Sequence, residues 1–399
     1  MRVLIIGNGV AGVMVAKELR LREPDRSKLE ISILTREAYG YYSRIRLPEV
    51  FGGGALSAEL LALYKPGWYA ERGIEARYGQ DVVSVDRDRR KVMLSSGSEL
   101  GYDALVLALG SEPVRPEIPG AYAPGVFTLR EFDDAARLRA WAVSHPGPCL
   151  VLGGGLLGLE AARHLRDLGA GEVVVVEAAP RLLPRQLDAR GADSLRSALE
   201  GMGMRILAGA KVSSFSGVDR VEALLLEDGR RIEVSTVVLS MGVKPRIGLA
   251  KAAGLPTGRG IVVDEGLRTA DPAIHAVGDC AEFRGSCLGI IPAALEQAPC
   301  CAAAILGDSS RPYMGTVASN TLKVAGVELS SAGLVEAPEG AEELVLEPGP
   351  GRYERYLLAE GKLVGAIVLG DKVRARAALA LAGKAATRTE IEALPKGSA

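Results

Sequence analysis

The chain's hydrophobic pattern is built on short unbroken apolar runs, each running into glycine and then into a helical period. The first such run fills Arg2 to Ile6 and ends in Gly7, Gly9 and Gly12. Val10, Val13, Met14, Ala16 and Leu19 then recur at helical spacing as far as about Arg22. The second run is Leu150 to Leu152, with Cys149 ahead of it. It ends in Gly153, Gly155 and Gly158, and Ala161, Ala162 and Leu165 carry the helical period that follows. Continuous apolar runs of this length predict parallel strands covered on both faces. Ile31 to Leu34, the stretch Asp103 to Pro113, Glu172 to Val176 and Ile274 to Val277 predict further strands of the same kind. FTLREFDDAARLRAW predicts a short strand and then a helix, and further helices are expected at about Ala189 to Met202 and from Pro292 onward. Past Arg311 the pattern changes to alternating strands with a turn at Glu360–Gly361, a last helix in VRARAALALAG and a loose tail, LPKGSA. The stretch EAYGYYSRIRLPEVFGG fits neither a helical nor a strand period.

Both glycine sets have G-x-G-x-x-G spacing between a strand and a helix. Such a turn, free of side chains, lets backbone N–H groups and the helix dipole meet a pyrophosphate. One copy is weak evidence; two copies predict two dinucleotides brought face to face. The fold class is therefore α/β, with two Rossmann-like dinucleotide-binding domains plus a small C-terminal α+β domain. The repeat goes further, because VSTVVLSMGVKP, with Gly242, echoes LVLALGSEP, with Ala108 and Gly110.

Composition narrows the class. A length of 399 residues suits two or three domains. The net charge of −1, without a basic run interleaved with aromatics, excludes a nucleic-acid footprint. No apolar run reaches the roughly 20 residues that cross a membrane, and no signal peptide opens the chain. The expectation is a cytoplasmic protein, monomer or homodimer. Five cysteines without C-x-x-C spacing and only three histidines leave no metal or cluster site and no disulfide framework.

Several residues are placed to carry chemistry. Glu37, past the second strand, suits the ribose hydroxyls of the first nucleotide; a solvated loop carboxylate is the alternative. Glu177 lies 19 residues past Gly158, the spacing at which a carboxylate holds the 2′-hydroxyl of NADH and repels the extra phosphate of NADPH. Arg181 and Arg185 just beyond it could tolerate that phosphate. Arg44 follows the second strand, where an arginine can meet a pyrophosphate; Arg46 suits the surface better. Val82 and Val83 fall near the edge where an adenine could lie. Arg130 suits either the cofactor or a domain-interface ion pair. Ala11 lies within the first turn. Gly278 permits close backbone approach, and Asp279 can accept from a ribityl hydroxyl or order water. Pro292 opens a helix whose N-terminus could face a flavin pyrimidine. Cys300 and Cys301 read as packing, with redox activity the alternative, and His275 reads as core.

These residues resemble the FAD-dependent pyridine nucleotide–disulfide oxidoreductase superfamily over essentially the whole chain. GGGLLGLEAA, the QLD of Gln186 to Asp188, MGVKP and TLKVAGVELSSAG are similar to the flavin module of assimilatory nitrite reductase and to NADH:rubredoxin oxidoreductases. YYSRIRL is similar to the Tyr-x-Arg-x-x-Leu segment of those families, so Arg44 matches a flavin-contacting arginine, and GDCAEF resembles their second FAD motif. The resemblance implies a glutathione-reductase-like arrangement. Residues 1–115 and 246–310 form the FAD-binding domain, 116–245 the NADH-binding domain and 311–399 the C-terminal α+β domain. It implies FAD on the first fold, NADH on the second, and Glu160 near the nicotinamide–flavin contact. Reduced flavin would then pass electrons to rubredoxin, ferredoxin or a nitrite reductase subunit; an NADH oxidase or a nucleotide-binding redox sensor would share the same sites. The departures are as informative. No cysteine precedes Cys149, which argues against thiol chemistry on the flavin, and the absence of a cysteine-rich sirohaem portion implies that this chain does not reduce nitrite by itself.

Overall fold

The computed structural model describes the chain except residues 53–56, 318, 325, 350 and 398–399. It divides into two compact units. The first comprises Met1–Arg44, Leu56–Glu112 and Val243–Thr316; the second comprises Ile45–Ala55, Pro113–Gly242 and Val317–Ala399.

In the first unit, five parallel strands lie in the order Ile274–Ala276, Ala104–Leu107, Arg2–Ile6, Glu30–Leu34, Ile74–Arg77. Arg2 pairs with Glu30 and Ile6 with Leu34, in continuous register. The apolar runs are buried as expected, with Ile5, Ile33, Leu105 and Val106 inaccessible. The helices Val10–Arg22 and Ile291–Ile305 pack together, and both bury small or apolar side chains, among them Val15, Ala294 and Ala298. Strands Val82–Asp86, Lys91–Leu94 and Glu99–Gly101 form a separate antiparallel sheet.

The second unit repeats the plan. Its parallel sheet runs Met204–Ala208, Val173–Glu177, Cys149–Leu152, Thr236–Leu239, Val126–Thr128. Around it stand the helices Phe132–Ser144, Leu156–Asp167 and Ala189–Gly201. Glu131 and Asp134 form a capping box at the first of these, and Asp188 caps the last by accepting from the Gly191 N–H. A five-stranded antiparallel sheet, in the order Ser319–Val324, Val327–Gly333, Lys362–Leu369, Arg352–Ala359, Glu342–Gly349, completes the unit with the helix Lys372–Leu381 against it. Two parallel Rossmann-like cores and an antiparallel C-terminal sheet are the architecture that the apolar runs predict.

Two expectations need correction at the C-terminus. Lys372–Leu381 is not the last helix, because Arg388–Glu392 follows, opened by a Thr387–Glu390 capping box. The tail is tied down where it is described. Arg374, fully buried, donates to the Leu394 carbonyl at 2.7 Å and to the Ile391 carbonyl at 3.1 Å, and Gly397 donates to the Asp371 carboxylate at 2.9 Å. Arg374 also pairs with buried Glu354, which accepts from the Tyr356 hydroxyl. A buried guanidinium must find acceptors for its donors, and the backbone supplies two of them, one from the last helix and one from the tail. No helix among the described residues is long and apolar enough to cross a membrane.

His275 is a core residue, 2% exposed, with neither ring nitrogen partnered. Burial, then the charge of Arg268, pushes its pKa from 6.5 down to about 4. The folded state therefore resists a proton that the unfolded chain accepts below 6.5, so stability is full above that pH and is lost as pH falls toward 4. The separation from 6.5 to about 4 is worth about 3 kcal/mol. Denaturant melts at pH 7.5, 6, 5 and 4 should show this loss, and His275→Leu should flatten it. An unchanged slope in the variant would assign the pH dependence to other groups.

Candidate functional site

The strand order creates one switch point in each parallel sheet, and ligands of open α/β sheets bind outside the carboxyl ends of strands at such points. In the first unit the point lies between Arg2–Ile6 and Ala104–Leu107; in the second it lies between Cys149–Leu152 and Thr236–Leu239. A glycine turn leaves each. Gly7 has φ +116° and Gly153 φ +118°. A Cβ on Gly7 would stand 2.1 Å from the Ala108 carbonyl oxygen, and one on Gly153 would stand 2.2 Å from that of Ser240. A Cβ on Gly12 would meet the Gly7 carbonyl at 2.0 Å, and one on Gly158 the Gly153 carbonyl at 2.2 Å. Gly9 and Gly155, the residues that cap the two helices, would each send a Cβ into open space. The first and third glycines are thus required by packing. The middle one keeps the helix N-terminus bare for whatever approaches it.

Around the first turn the expected residues gather. Gly278, at φ +75°, packs its Cα side against Ala11 and donates to the Gln297 amide oxygen at 2.7 Å. Asp279 accepts from the Ser111 hydroxyl at 2.6 Å. Gly110 has φ +69°, and Pro292 lies in the first turn of the helix Ile291–Ile305. Glu37 accepts from Arg44 at 2.7 Å and from the Tyr42 hydroxyl, so the two residues expected to serve different ends of a cofactor form one ion pair. Asn8, inside the turn, accepts from the Tyr69 hydroxyl at 2.9 Å, and its amide nitrogen is buried without a partner. An orphaned donor beside bare backbone N–H groups fits the oxygens of a pyrophosphate. Burial pushes the Tyr69 hydroxyl up to about 12, so it stays a donor. Val83 needs a qualification. It is 53% exposed, on the separate antiparallel sheet, where the register shifts between Val82 and Ser84.

At the second turn, Glu177 accepts from the Gly154 N–H and from the Ala179 N–H, both at 2.7 Å. Its carboxylate is thereby held against the glycine turn itself. Gly242 has φ +95°, matching Gly110. Glu160, on the helix that follows the turn, lies 3.8 Å from the His164 Nε2. Burial depresses the His164 pKa, against the pull of Asp167 and Glu49. A Cβ on Gly52 would meet the His164 ring at 2.2 Å, and Arg139 donates to the Phe51 and Gly52 carbonyls at 3.1 Å, so the segment Ile45–Gly52 docks on this helix pair. Arg130 donates its backbone N–H to Asp134 at the start of the helix Phe132–Ser144.

Burial pushes Cys149 up to about 11 and Cys280 up to about 12, and raises Cys287, Cys300 and Cys301 as well. Cys300 and Cys301 are buried within the helix Ile291–Ile305. Among the described residues no cluster of His, Cys, Asp or Glu could hold a metal ion. A cavity of about 400 Å³, lined by Pro148, Glu172, Arg205, Arg231 and others, opens at the amino-terminal edge of the second sheet, the edge opposite the glycine turn. Asn8, Ser111, Gln297 and His164 escape sequence reasoning. Asn8 alone carried a signal, as a polar residue between the first two glycines of the turn.

A family model described as pyridine nucleotide-disulphide oxidoreductase matches residues 1–303, and one described as rubredoxin NAD+ reductase C-terminal domain matches 319–381. The NAD(P)H nitrite reductase of Bacillus subtilis (strain 168) is 37% identical over 371 residues, 93% of this chain and 46% of that protein. The ferredoxin reductase component of chlorobenzene dioxygenase from Cupriavidus sp. (strain PS12) is 36% identical, over 93% of this chain and 90% of that one. The crystal structure of the ferredoxin reductase for the CYP199A2 system of Rhodopseudomonas palustris superposes with a TM-score of 0.87 at 31% identity, covering 98% of this chain and 96% of that one. The chain spans about half the length of the Bacillus subtilis relatives that it matches.

The two kinds of turn glycine separate folding from binding. Gly7→Ala and Gly153→Ala should each lower the melting temperature by several degrees, because each places a methyl group in a carbonyl at positive φ. Gly9→Ala should leave the melting temperature of ligand-free protein within about a degree, since its methyl group meets nothing within 4 Å. Equal losses at all three positions, measured by calorimetry, would contradict the assignment.

Proposed function

The chain belongs to the pyridine nucleotide-disulphide oxidoreductase family, and from that premise we propose that it carries electrons from NADH, through bound FAD, to a small redox protein. The observation that carries this reading is the pair of matching glycine turns, one at each switch point. Bound FAD supplies the chemistry, since it takes electrons as a pair and gives them up singly. The protein's part is to bind, orient and exclude. Gly7, Gly9 and Gly12, with Ala11, Ala108 and Gly110, open the first turn to the FAD pyrophosphate, and Asn8 adds a side-chain donor. Glu37 serves its adenosine ribose and Arg44, paired with Glu37, the adjoining pyrophosphate; Val83 borders its adenine, and Gly278 with Asp279 meets its ribityl chain. The helix begun by Ile291 and Pro292 would present its positive end to the flavin ring and favour negative charge there. Arg130 is assigned to the same cofactor.

Gly153, Gly155 and Gly158 hold the NADH pyrophosphate, Glu177 its adenosine ribose, Gly242 its path along the sheet edge, and Glu160 the approach of its nicotinamide. No general acid or base is demanded, which suits a chain with three histidines, one of them locked in the core. No cysteine precedes Cys149, which argues against the disulfide branch of the family's chemistry. A small iron protein is the acceptor class favoured. Relatives of nearly this length are named as ferredoxin reductases, and the C-terminal sheet falls within the match to a rubredoxin NAD+ reductase C-terminal domain. The four-part division at 115, 245 and 310, and a cytoplasmic place of action, belong to the same proposal.

Anaerobic titration tests it directly. The purified protein should be yellow, NADH should bleach it, and rubredoxin or ferredoxin should restore the colour faster than oxygen or nitrite does. Colourless protein, or colour untouched by NADH, would end the reading, and fastest recovery with oxygen would make it an oxidase. Gly155→Val, whose Cβ would enter open space, should keep its flavin while the KM for NADH rises about tenfold.

A further inference from the structure

Residues 178–188 run from the end of the strand Val173–Glu177 to the cap of the helix Ala189–Gly201. They lie against the second glycine turn. The Leu183 N–H donates to the Gly154 carbonyl at 3.2 Å, and Leu182 Cδ2 lies 2.5 Å from where a Gly154 Cβ would be. The segment carries two cations, Arg181 and Arg185, a short step past the ribose carboxylate Glu177. A guanidinium here is what a 2′-phosphate would seek, because planar bidentate donors suit phosphate oxygens.

Arg181 is already engaged. Its Nε donates to the Leu187 carbonyl at 3.1 Å and its Nη2 to the Pro184 carbonyl at 3.5 Å, both within its own segment. The same Nη2 pairs at 2.9 Å with Glu336, a residue of the turn between the strands Val327–Gly333 and Glu342–Gly349 of the C-terminal sheet. That sheet also grips the far end of the segment. The Tyr353 hydroxyl, buried, donates to Asp188 at 2.6 Å, and Arg355 stands 3.9 Å from the same carboxylate while pairing with Glu343 at 2.7 Å. Arg185, by contrast, is exposed. The C-terminal sheet thus reaches the coenzyme segment at both ends, and at one end it brings a carboxylate to the cation that a phosphate would need.

We propose that Glu336 and Arg181 form a specificity-determining pair that turns the second nucleotide site away from NADPH. Glu336 engages Nη2 of the guanidinium and adds a negative charge beside it, so a 2′-phosphate meets a partly occupied donor set and like-charge repulsion. Glu177 rejects the phosphate from the strand end; Glu336 rejects it from another part of the chain. The inference rests on the reading that the second turn takes a nicotinamide dinucleotide.

The experiment uses the flavin-loaded full chain. Calorimetry gives dissociation constants for NADP+ and NAD+, and steady-state assays give kcat/KM with NADPH and NADH. Glu336→Ala should raise the NADP+ to NAD+ affinity ratio on the order of threefold, the scale of an exposed ion pair, and the catalytic ratio should follow. Glu339→Ala, which removes a nearby exposed carboxylate, should leave the ratio at the wild-type value. Arg181→Ala combined with Glu336→Ala should abolish the gain. An unchanged ratio in Glu336→Ala, an equal gain in Glu339→Ala, or a gain that survives loss of Arg181 overturns the proposal, provided that melting temperatures agree. Failure of the wild type to bind either coenzyme is a different result: it overturns the functional reading, and this inference with it.

Discussion

A carbonyl oxygen standing where a Cβ would otherwise be is the contact on which both nucleotide folds depend. Ala108 supplies it to Gly7 and Ser240 supplies it to Gly153. Because strand and turn approach this closely, the helix after each turn can begin at once, with its unpaired N–H groups at the sheet's carboxyl edge. Any side chain there would separate the two strands of the switch point, and the crevice would lose its floor. The same demand, met twice in one chain with φ values two degrees apart, is what makes the duplication physical rather than a coincidence of spelling.

The two folds differ in how they treat the carboxylate near the second strand's end. Glu37 is held by side chains, Tyr42 and Arg44, which follow it in the chain. Glu177 is held by backbone, through the N–H groups of Gly154 and Ala179. Backbone donors fix a carboxylate without side-chain entropy, whereas an arginine and a tyrosine can turn to other acceptors. One architecture therefore offers one stiff acceptor and one that its partners can rearrange around.

Much of this was legible in the residues. Strands covered on both faces, such as Arg2–Ile6 and Cys149–Leu152, appear as unbroken apolar runs, and the helices after them keep their period. What escaped was set by partners far along the chain. Ile45–Gly52 has no period because it docks on helices through Phe51, Gly52 and Arg139 rather than continuing a long element of its own. The tail reads as loose because what ties it is backbone carbonyls satisfying Arg374, and no pattern of side chains reports that. Gln297 and Ser111 look ordinary until the fold brings Gly278 and Asp279 to them.

The interleaving of the two units along the chain bears on how the protein is made. The first parallel sheet starts at Arg2 and receives its outermost strand only at Ile274, and the helix that packs on Val10–Arg22 ends at Ile305. During translation the amino-terminal fold must wait, one flank uncovered, while the whole second parallel sheet emerges and can close on itself. Contacts so distant in sequence are slow to form, and an uncovered apolar flank is an invitation to aggregate. Recombinant yield should therefore hinge on synthesis speed and chaperone supply more than on the stability of the finished molecule.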